Sequence, residues 1–151
     1  MKIPEPLSTK KLRKKLREWF NLFIRLRDID KGCISCGRRY SRICGAWQAG
    51  HFYNSASCHA SFDFDESNVN GQCAGCNLNE GNKQGYRKGL VKRFGEGILD
   101  LLEIKKAASR RAHWGIFEYQ AMIKLYKEKV EAYKHNSSSD NDLKFDFNFG
   151  E

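Results

Sequence analysis

Two Cys-x-x-Cys pairs, Cys33-Ile34-Ser35-Cys36 and Cys73-Ala74-Gly75-Cys76, constrain this chain more than any other feature. In a tight turn each pair brings two thiolates to one side, and two such turns complete a tetrahedral four-sulfur shell that suits Zn2+. Gly37 follows the first pair and Gly75 lies inside the second, where small residues ease the turns. The spacing therefore predicts a structural zinc held by Cys33, Cys36, Cys73 and Cys76. Redox chemistry fits two copies outside a thioredoxin-like pattern poorly. Disulfides fit poorly without a secretory signal, and Met1–Lys15 is basic with no apolar stretch. Of the six cysteines, Cys44 and Cys58 have no partner at ligand spacing and read as buried small apolar residues.

Charge narrows the partners. The net charge is +9 and the pI about 9.3. Residues 136–151 carry Lys144 against Asp140, Asp142, Asp146 and Glu151, a net of −3, so residues 1–135 carry +12. Residues 1–31 hold ten Lys/Arg against four Asp/Glu. A basic body with an acidic tail fits nucleic acid better than a membrane. No apolar run approaches the roughly 20 residues that span a bilayer. The expected location is the reducing cytoplasm.

Hydrophobic spacing divides the chain into a basic amphipathic helix (1–31), a zinc-bound core (32–84), a helical region (85–135) and an acidic tail (136–151). In the first, Leu12, Leu16, Trp19, Phe20, Phe23 and Leu26 recur at steps of three or four, which predicts a helix over Thr9–Asp28 with Ser8 as its cap. Lys10, Lys11, Arg13, Lys14, Lys15 and Arg17 oppose the helix dipole at its start, and that small cost points to phosphate contact. The core is loop-rich, with short strands expected around Ala46–Tyr53 and near Ser61–Phe64. Further helices are expected over Tyr86–Phe94, Ile98–Ser109 and Trp114–His135, the last with a stripe of Ile116, Tyr119, Ile123, Tyr126, Val130 and Tyr133. In the tail, Leu143, Phe145, Phe147 and Phe149 alternate with polar residues, a pattern that adds a strand to a protein partner's sheet or belongs to an unstructured terminus.

The insert between the knuckles holds Gln48-Ala49-Gly50-His51-Phe52, then Phe64-Asp65-Glu66-Ser67-Asn68-Val69 and Gln72-Cys73, with Asn77 directly after Cys76. This order resembles the HNH (ββα-metal) nucleases pinned by zinc, including the endonuclease VII type of junction resolvase. The run Cys-x-x-Cys, Ala-Gly-His-Phe, Phe-Asp-Glu-x-Asn-Val, Gln-Cys-x-x-Cys-Asn and Gly-Asn is closer still to the NinG (Rap) recombination endonucleases of lambdoid phages, over roughly Cys33 to Glu103. That resemblance implies an α+β fold with a zinc-pinned ββα-metal core between flanking helices. It also implies a phage endonuclease that cuts branched DNA such as Holliday junctions and D-loops, working in the host cytoplasm.

The chemistry of hydrolysis assigns roles within this run. A histidine can take the proton of an attacking water near neutral pH, and Mg2+ or Mn2+ can stabilise phosphate charge. By position His51 is the general base, Asn68 orients it, with Asn70 as the second choice, and Asn77 is a ligand of the catalytic metal. Many relatives in the broad group carry an acid shortly before the histidine, where this chain has Gln48, a neutral donor. A hard cation prefers anionic oxygen, so either Glu80, Asp63 or Asp65 completes the site or the metal is held weakly. His59 is a further imidazole in the insert, and the Asp63–Glu66 acids otherwise read as a solvated turn. The rival functions are a zinc-stabilised DNA-binding accessory protein without catalysis, and an RNA-binding zinc protein. A homodimer is expected where two symmetric strands are cut, with the stripe of the last helix as one face or as core within one chain.

Overall fold

Ser8 caps the first helix, α1 (Thr9–Asp28), its hydroxyl accepting from the Lys11 amide at 3.4 Å and satisfying one of the donors a helix start leaves unpaired. The computed structural model describes residues 8–54 and 59–137. Leu12, Leu16, Phe20, Phe23 and Leu26 are buried as their spacing predicts, but so are Leu22 and Ile24. The helix is covered on more than one side because it packs on the last helix, α6 (Ile116–Ser137), and on a two-stranded sheet.

That sheet is antiparallel, β1 (Trp47–His51) against β2 (Val69–Cys73), with Trp47 opposite Cys73 and His51 opposite Val69. The expected strand near Ser61–Phe64 is instead one helical turn, α2 (Ala60–Asp63). The alternation misled because Phe62 and Phe64 are both buried but enter different clusters, Phe62 beside Tyr86 and Leu90, Phe64 beside α1 and α6. All five residues of β2 are buried although three are Asn70, Gly71 and Gln72, types depleted in strands. Gly71 is required: a Cβ there would lie 2.2 Å from the Trp47 ring.

Beyond Cys73 come α3 (Ala74–Leu78), α4 (Lys83–Phe94) and α5 (Ile98–Ser109). The middle of the α6 stripe is spent inside the chain: Tyr119, Ile123, Tyr126 and Val130 are buried with α1 residues, while Ile116 and Tyr133 at its ends are exposed. The acids of the insert are not a solvated turn either. Asp65 pairs with Lys105 of α5 at 3.0 Å, Glu66 pairs with Lys129 of α6, and Asp63 is buried. Cys58 and the alternating tail residues Leu143, Phe145, Phe147 and Phe149 lie outside the described residues. Among the described residues no helix is long and apolar enough to cross a membrane.

Asp28 ties the end of α1 to the sheet. It is fully buried, accepts from Arg27 at 2.8 and 2.6 Å and from Lys31 at 3.0 Å, and accepts the Gly71 amide at 2.8 Å. Burial works against its charge, but these donors outweigh it and hold its pKa below the ordinary carboxylate value. Asp28→Ala leaves the Arg27 charge without its buried counter-ion and leaves Arg27 Nε and the Gly71 amide without their acceptor, an expected loss of about 3–5 kcal/mol, read by urea unfolding. A lowered folded pKa means this stabilisation is present above the unfolded value of about 3.9 and is lost as the pH falls through the folded value. Wild-type stability should therefore drop more steeply than that of Asp28→Ala below about pH 4.

Candidate functional site

The four cysteines converge as their spacing predicts. Their Sγ atoms all lie within 4.8 Å of one another, and Cys36 and Cys73 are 3.8 Å apart. Zn–S bonds of about 2.3 Å in a tetrahedron require sulfurs about 3.8 Å apart, so the donor set fits a metal such as zinc. Amides and an amide side chain already point at the sulfurs: Cys73 N donates to Cys33 Sγ at 3.3 Å, Cys76 N to Cys73 Sγ at 3.4 Å and Asn82 Nδ2 to Cys76 Sγ at 3.3 Å. Such donors stabilise thiolates and orient ligands. Burial pushes the thiols of Cys36, Cys73 and Cys76 up, so a cation must displace protons to bind. Cys44 is half-buried beside this cluster and outside the ligand set.

At the far end of β1, about 14 Å of strand from Trp47, His51 opens onto a cleft of about 750 Å³. Its walls come from several elements: Arg17 and Asn21 of α1, His51 of β1, Asp63 of α2, Asn77 and Leu78 of α3, Glu80 and Gly81 of the following turn, and Lys83 of α4. His51 Nε2 donates to the Asp63 carbonyl at 2.8 Å. A carbonyl only accepts, so the proton sits on Nε2 and Nδ1 is left as the basic nitrogen. Burial lowers the His51 pKa; Asp63 works in the opposite direction, and Arg17 and Lys83 lower it further. At neutral pH the ring is therefore uncharged and able to accept a proton.

The structure redistributes the roles expected around His51. Asn68 does not orient it. Fully buried, its side chain donates to the Tyr53 and Phe62 carbonyls at 2.9 and 3.2 Å and accepts the Tyr53 amide at 2.8 Å, so it clips the chain after β1. Asn70 is bound to Tyr86 and Arg27. The orienting group is the backbone of Asp63. The Asp63 carboxylate is held by Arg13 at 2.7 Å and Arg17 at 3.2 Å. Those two arginines thus face a buried acid rather than forming a free face with Lys10, Lys11, Lys14 and Lys15, which are exposed. Asn77 and Glu80 do reach the cleft, and Asn77 Nδ2 donates to Gln48 Oε1 at 2.8 Å. That leaves Asn77 Oδ1 and the exposed Glu80 carboxylate as oxygen atoms in the cleft lining. Asp65 is turned to Lys105, and His59 packs edge-on against His113, with centroids 5.5 Å apart, outside the cleft lining.

The family model described as Bacteriophage Lambda NinG protein matches residues 6–136. The chain belongs to the NinG family. Protein ninG of Escherichia phage 933W, of Escherichia phage lambda and of Salmonella phage P22 are each 34% identical to it over 126 residues, 83% of this chain. The aligned part is 59%, 58% and 59% of those relatives, so the chain spans less than two thirds of their length. No solved structure matches it.

Within this NinG-family chain, several cleft and support residues carried no sequence signal. Asn21 sits among the apolar residues of α1, yet its Oδ1 is buried without a hydrogen-bond partner at the cleft. Lys83 lines the cleft and donates to the His51 carbonyl at 3.3 Å. Gln72, fully buried, donates to Ser35 Oγ and the Gly81 carbonyl, both at 2.7 Å, and so fixes the turn that carries Glu80 to the first knuckle. The Gly-Asn of the motif at Gly81 and Asn82 was a usable signal: both adopt positive φ, as does Glu80, and Asn82 caps α4 while donating to Cys76.

Proposed function

We propose that the cleft is the catalytic site of a metal-dependent, structure-selective DNA endonuclease with a zinc-pinned ββα-metal (HNH-like) core, acting inside the host cell on branched recombination intermediates such as Holliday junctions and D-loops. The observation that carries this reading is an uncharged His51, fixed through Nε2 by a backbone carbonyl, facing a cleft that gathers oxygen donors and cations. His51 Nδ1 takes the proton of a water that attacks phosphorus, and the bond to the leaving oxygen breaks. Arg17 and Lys83 hold the anionic phosphate at the cleft mouth. Asn77 and Glu80, with Gln48 orienting Asn77, would hold a Mg2+ or Mn2+ ion. When bound, such an ion stabilises charge on the phosphate and the leaving oxygen. Lys10, Lys11, Lys14 and Lys15 extend the attraction along α1. Cutting two symmetric strands asks for two copies, which would have to meet through a face other than the buried middle of the α6 stripe. The acidic tail remains the proposed segment for a protein partner.

The test is incubation of labelled linear, flapped and four-way DNA with Mg2+, with Mn2+ and with EDTA. Cation-dependent scission of the branched forms, well above that of linear duplex, is the expected result. The same rate on all three, or none on any, overturns the assignment. One observation favours a second reading, a zinc-stabilised DNA-binding accessory protein. Among the described residues the four cysteines are the only group of three or more His, Cys, Asp or Glu placed to share a metal. Tight junction binding with no scission in either cation would establish that reading instead.

A further inference from the structure

A second cleft, of about 540 Å³, lies where α4 meets the first knuckle. Lys31, Lys88, Lys92 and Arg93 line it, and no carboxylate does. The groove is set firmly in the fold. Gly89 lets α4 press directly on the knuckle backbone, since a Cβ there would sit 1.8 Å from the Ile34 carbonyl oxygen. Arg93 is anchored by donating through Nη2 to the Gly32 carbonyl at 2.6 Å, while its Nη1 is buried without a partner. Lys88 and Lys92 are both exposed, one helical turn apart on the same face. Among the described residues no acid pairs with either. Like charges at that spacing cost a helix a few tenths of a kcal/mol, so the fold gains nothing by placing them together.

Local charge balance accounts for only part of them. Four thiolates around one Zn2+ leave two net negative charges beside the groove. Lys31 is already paired with Asp28. Lys88, Lys92 and Arg93 together exceed what the cluster neutralises.

We propose that this groove seats a backbone phosphate of the DNA, as an anchor separate from the His51 cleft; the inference rests on the DNA-directed reading above but not on catalysis. α4 links the two places. Lys83, at its start, lines the cleft, and Lys92 lines the groove. Nine residues at about 1.5 Å each separate them by about 14 Å along the axis, and at about 3.6 residues per turn they stand on opposite sides of the helix. DNA that reaches both places is gripped at two points, with one phosphate at His51 and another between Lys88, Lys92 and Arg93. A protein that grips an arm at two such points holds its direction as well as its position, which a branch-selective enzyme requires.

The test uses the full chain with zinc bound and the double variant Lys88→Ala/Lys92→Ala, both positions being exposed and outside the core. Binding to a fluorescein-labelled duplex and to a four-way junction is followed by anisotropy across a salt series, without added divalent cation. The slope of log K against log salt is expected to become shallower by about 1.8, two contacts at about 0.9 each, with zinc content and thermal midpoint unchanged. An unchanged slope overturns the proposal. So does an unchanged slope with weakened zinc retention, which would make the lysines counter-charge for the metal cluster. Methylphosphonate substitution, scanned along the DNA away from the cleft-bound phosphate, should at one position weaken binding of the wild type and not of the double variant; equal weakening of both at every position counts against the groove. If the slope changes while the wild type cuts no DNA, the phosphate seat stands and the nuclease reading falls. If the wild type binds no DNA, both fall.

Discussion

His51→Ala is expected to reduce scission of branched DNA by about 10²–10⁴-fold, with DNA affinity and zinc content close to those of the wild type. The separation follows from where the residue sits. His51 ends β1, with the zinc cluster at the opposite end of the hairpin, and it belongs to none of the three buried apolar clusters. Its side chain is 21% exposed, and its one strong contact, to the Asp63 carbonyl, leaves behind an acceptor that water in the cleft can reach. The ring is neutral at pH 7, so phosphate attraction by the basic residues is undisturbed. What is lost is the group that removes the water's proton. The pH profile tests the same point. Because burial lowers the His51 pKa, the rate should stay on its plateau as the pH falls to the ordinary histidine value of about 6.5 and decline only below it. Arg17→Gln removes one of the cations that oppose protonation, so the acid limb should move to higher pH. Wild-type rates in purified His51→Ala would show that this cleft is not the place of catalysis.

Cys73→Ser should have the largest effect on the fold itself. A structural zinc site contributes on the order of 10–16 kcal/mol to the folded state of small metal domains, as much as or more than the roughly 5–15 kcal/mol by which whole domains are stable. Cys73 concentrates several functions. It ends β2 opposite Trp47, it packs with Ile29, Cys33 and Trp47, and its sulfur accepts the Cys76 amide at the start of α3. Losing the metal there should release the hairpin, α3 and the turn that presents Asn77 and Glu80, so zinc content, far-ultraviolet circular dichroism and scission should all fall together. Prolonged chelation of the wild type should have the same result. Folded, zinc-free protein that keeps a wild-type unfolding midpoint would mean that the four cysteines do not work as a metal centre.

The two experiments lean on parts of the molecule that were unequally legible. Cys33, Cys36, Cys73 and Cys76 could be named as one ligand set from spacing, because a Cys-x-x-Cys turn is a local geometry and two of them leave few ways to fill a tetrahedron. The limits of α1 and α5, and the cap at Ser8, were legible for the same reason. Apolar periodicity and capping chemistry are written within a turn or two of the residues they govern. The second strand was not legible. Its Asn70, Gly71 and Gln72 are buried on partners supplied from elsewhere in the chain: Tyr86 and Arg27 for Asn70, Asp28 for the Gly71 amide, Ser35 and Gly81 for the Gln72 Nε2. A polar side chain in a sequence gives no sign of a partner tens of residues away.

The same limit separates what the sequence determined from what the tertiary structure decided at the site. The sequence by itself determined that four cysteines would come together in a metal-sized sulfur cage, and it put forward His51, Asn68, Asn77, Glu80 and Gln48 as candidate site residues. Only the folded chain decided that Asp63 would sit under His51. The acid is drawn there by Arg13 and Arg17, which lie 50 and 46 positions away, and its own backbone carbonyl takes the role that spacing had given to Asn68. Asn68 looked available because it stands next to the motif. In the fold it is consumed by the backbone of Tyr53 and Phe62, whose buried polar groups need partners. Proximity along the chain fixes local turns, whereas the pairing of buried charges and amides is settled when the helices and the hairpin close on one another and exclude water.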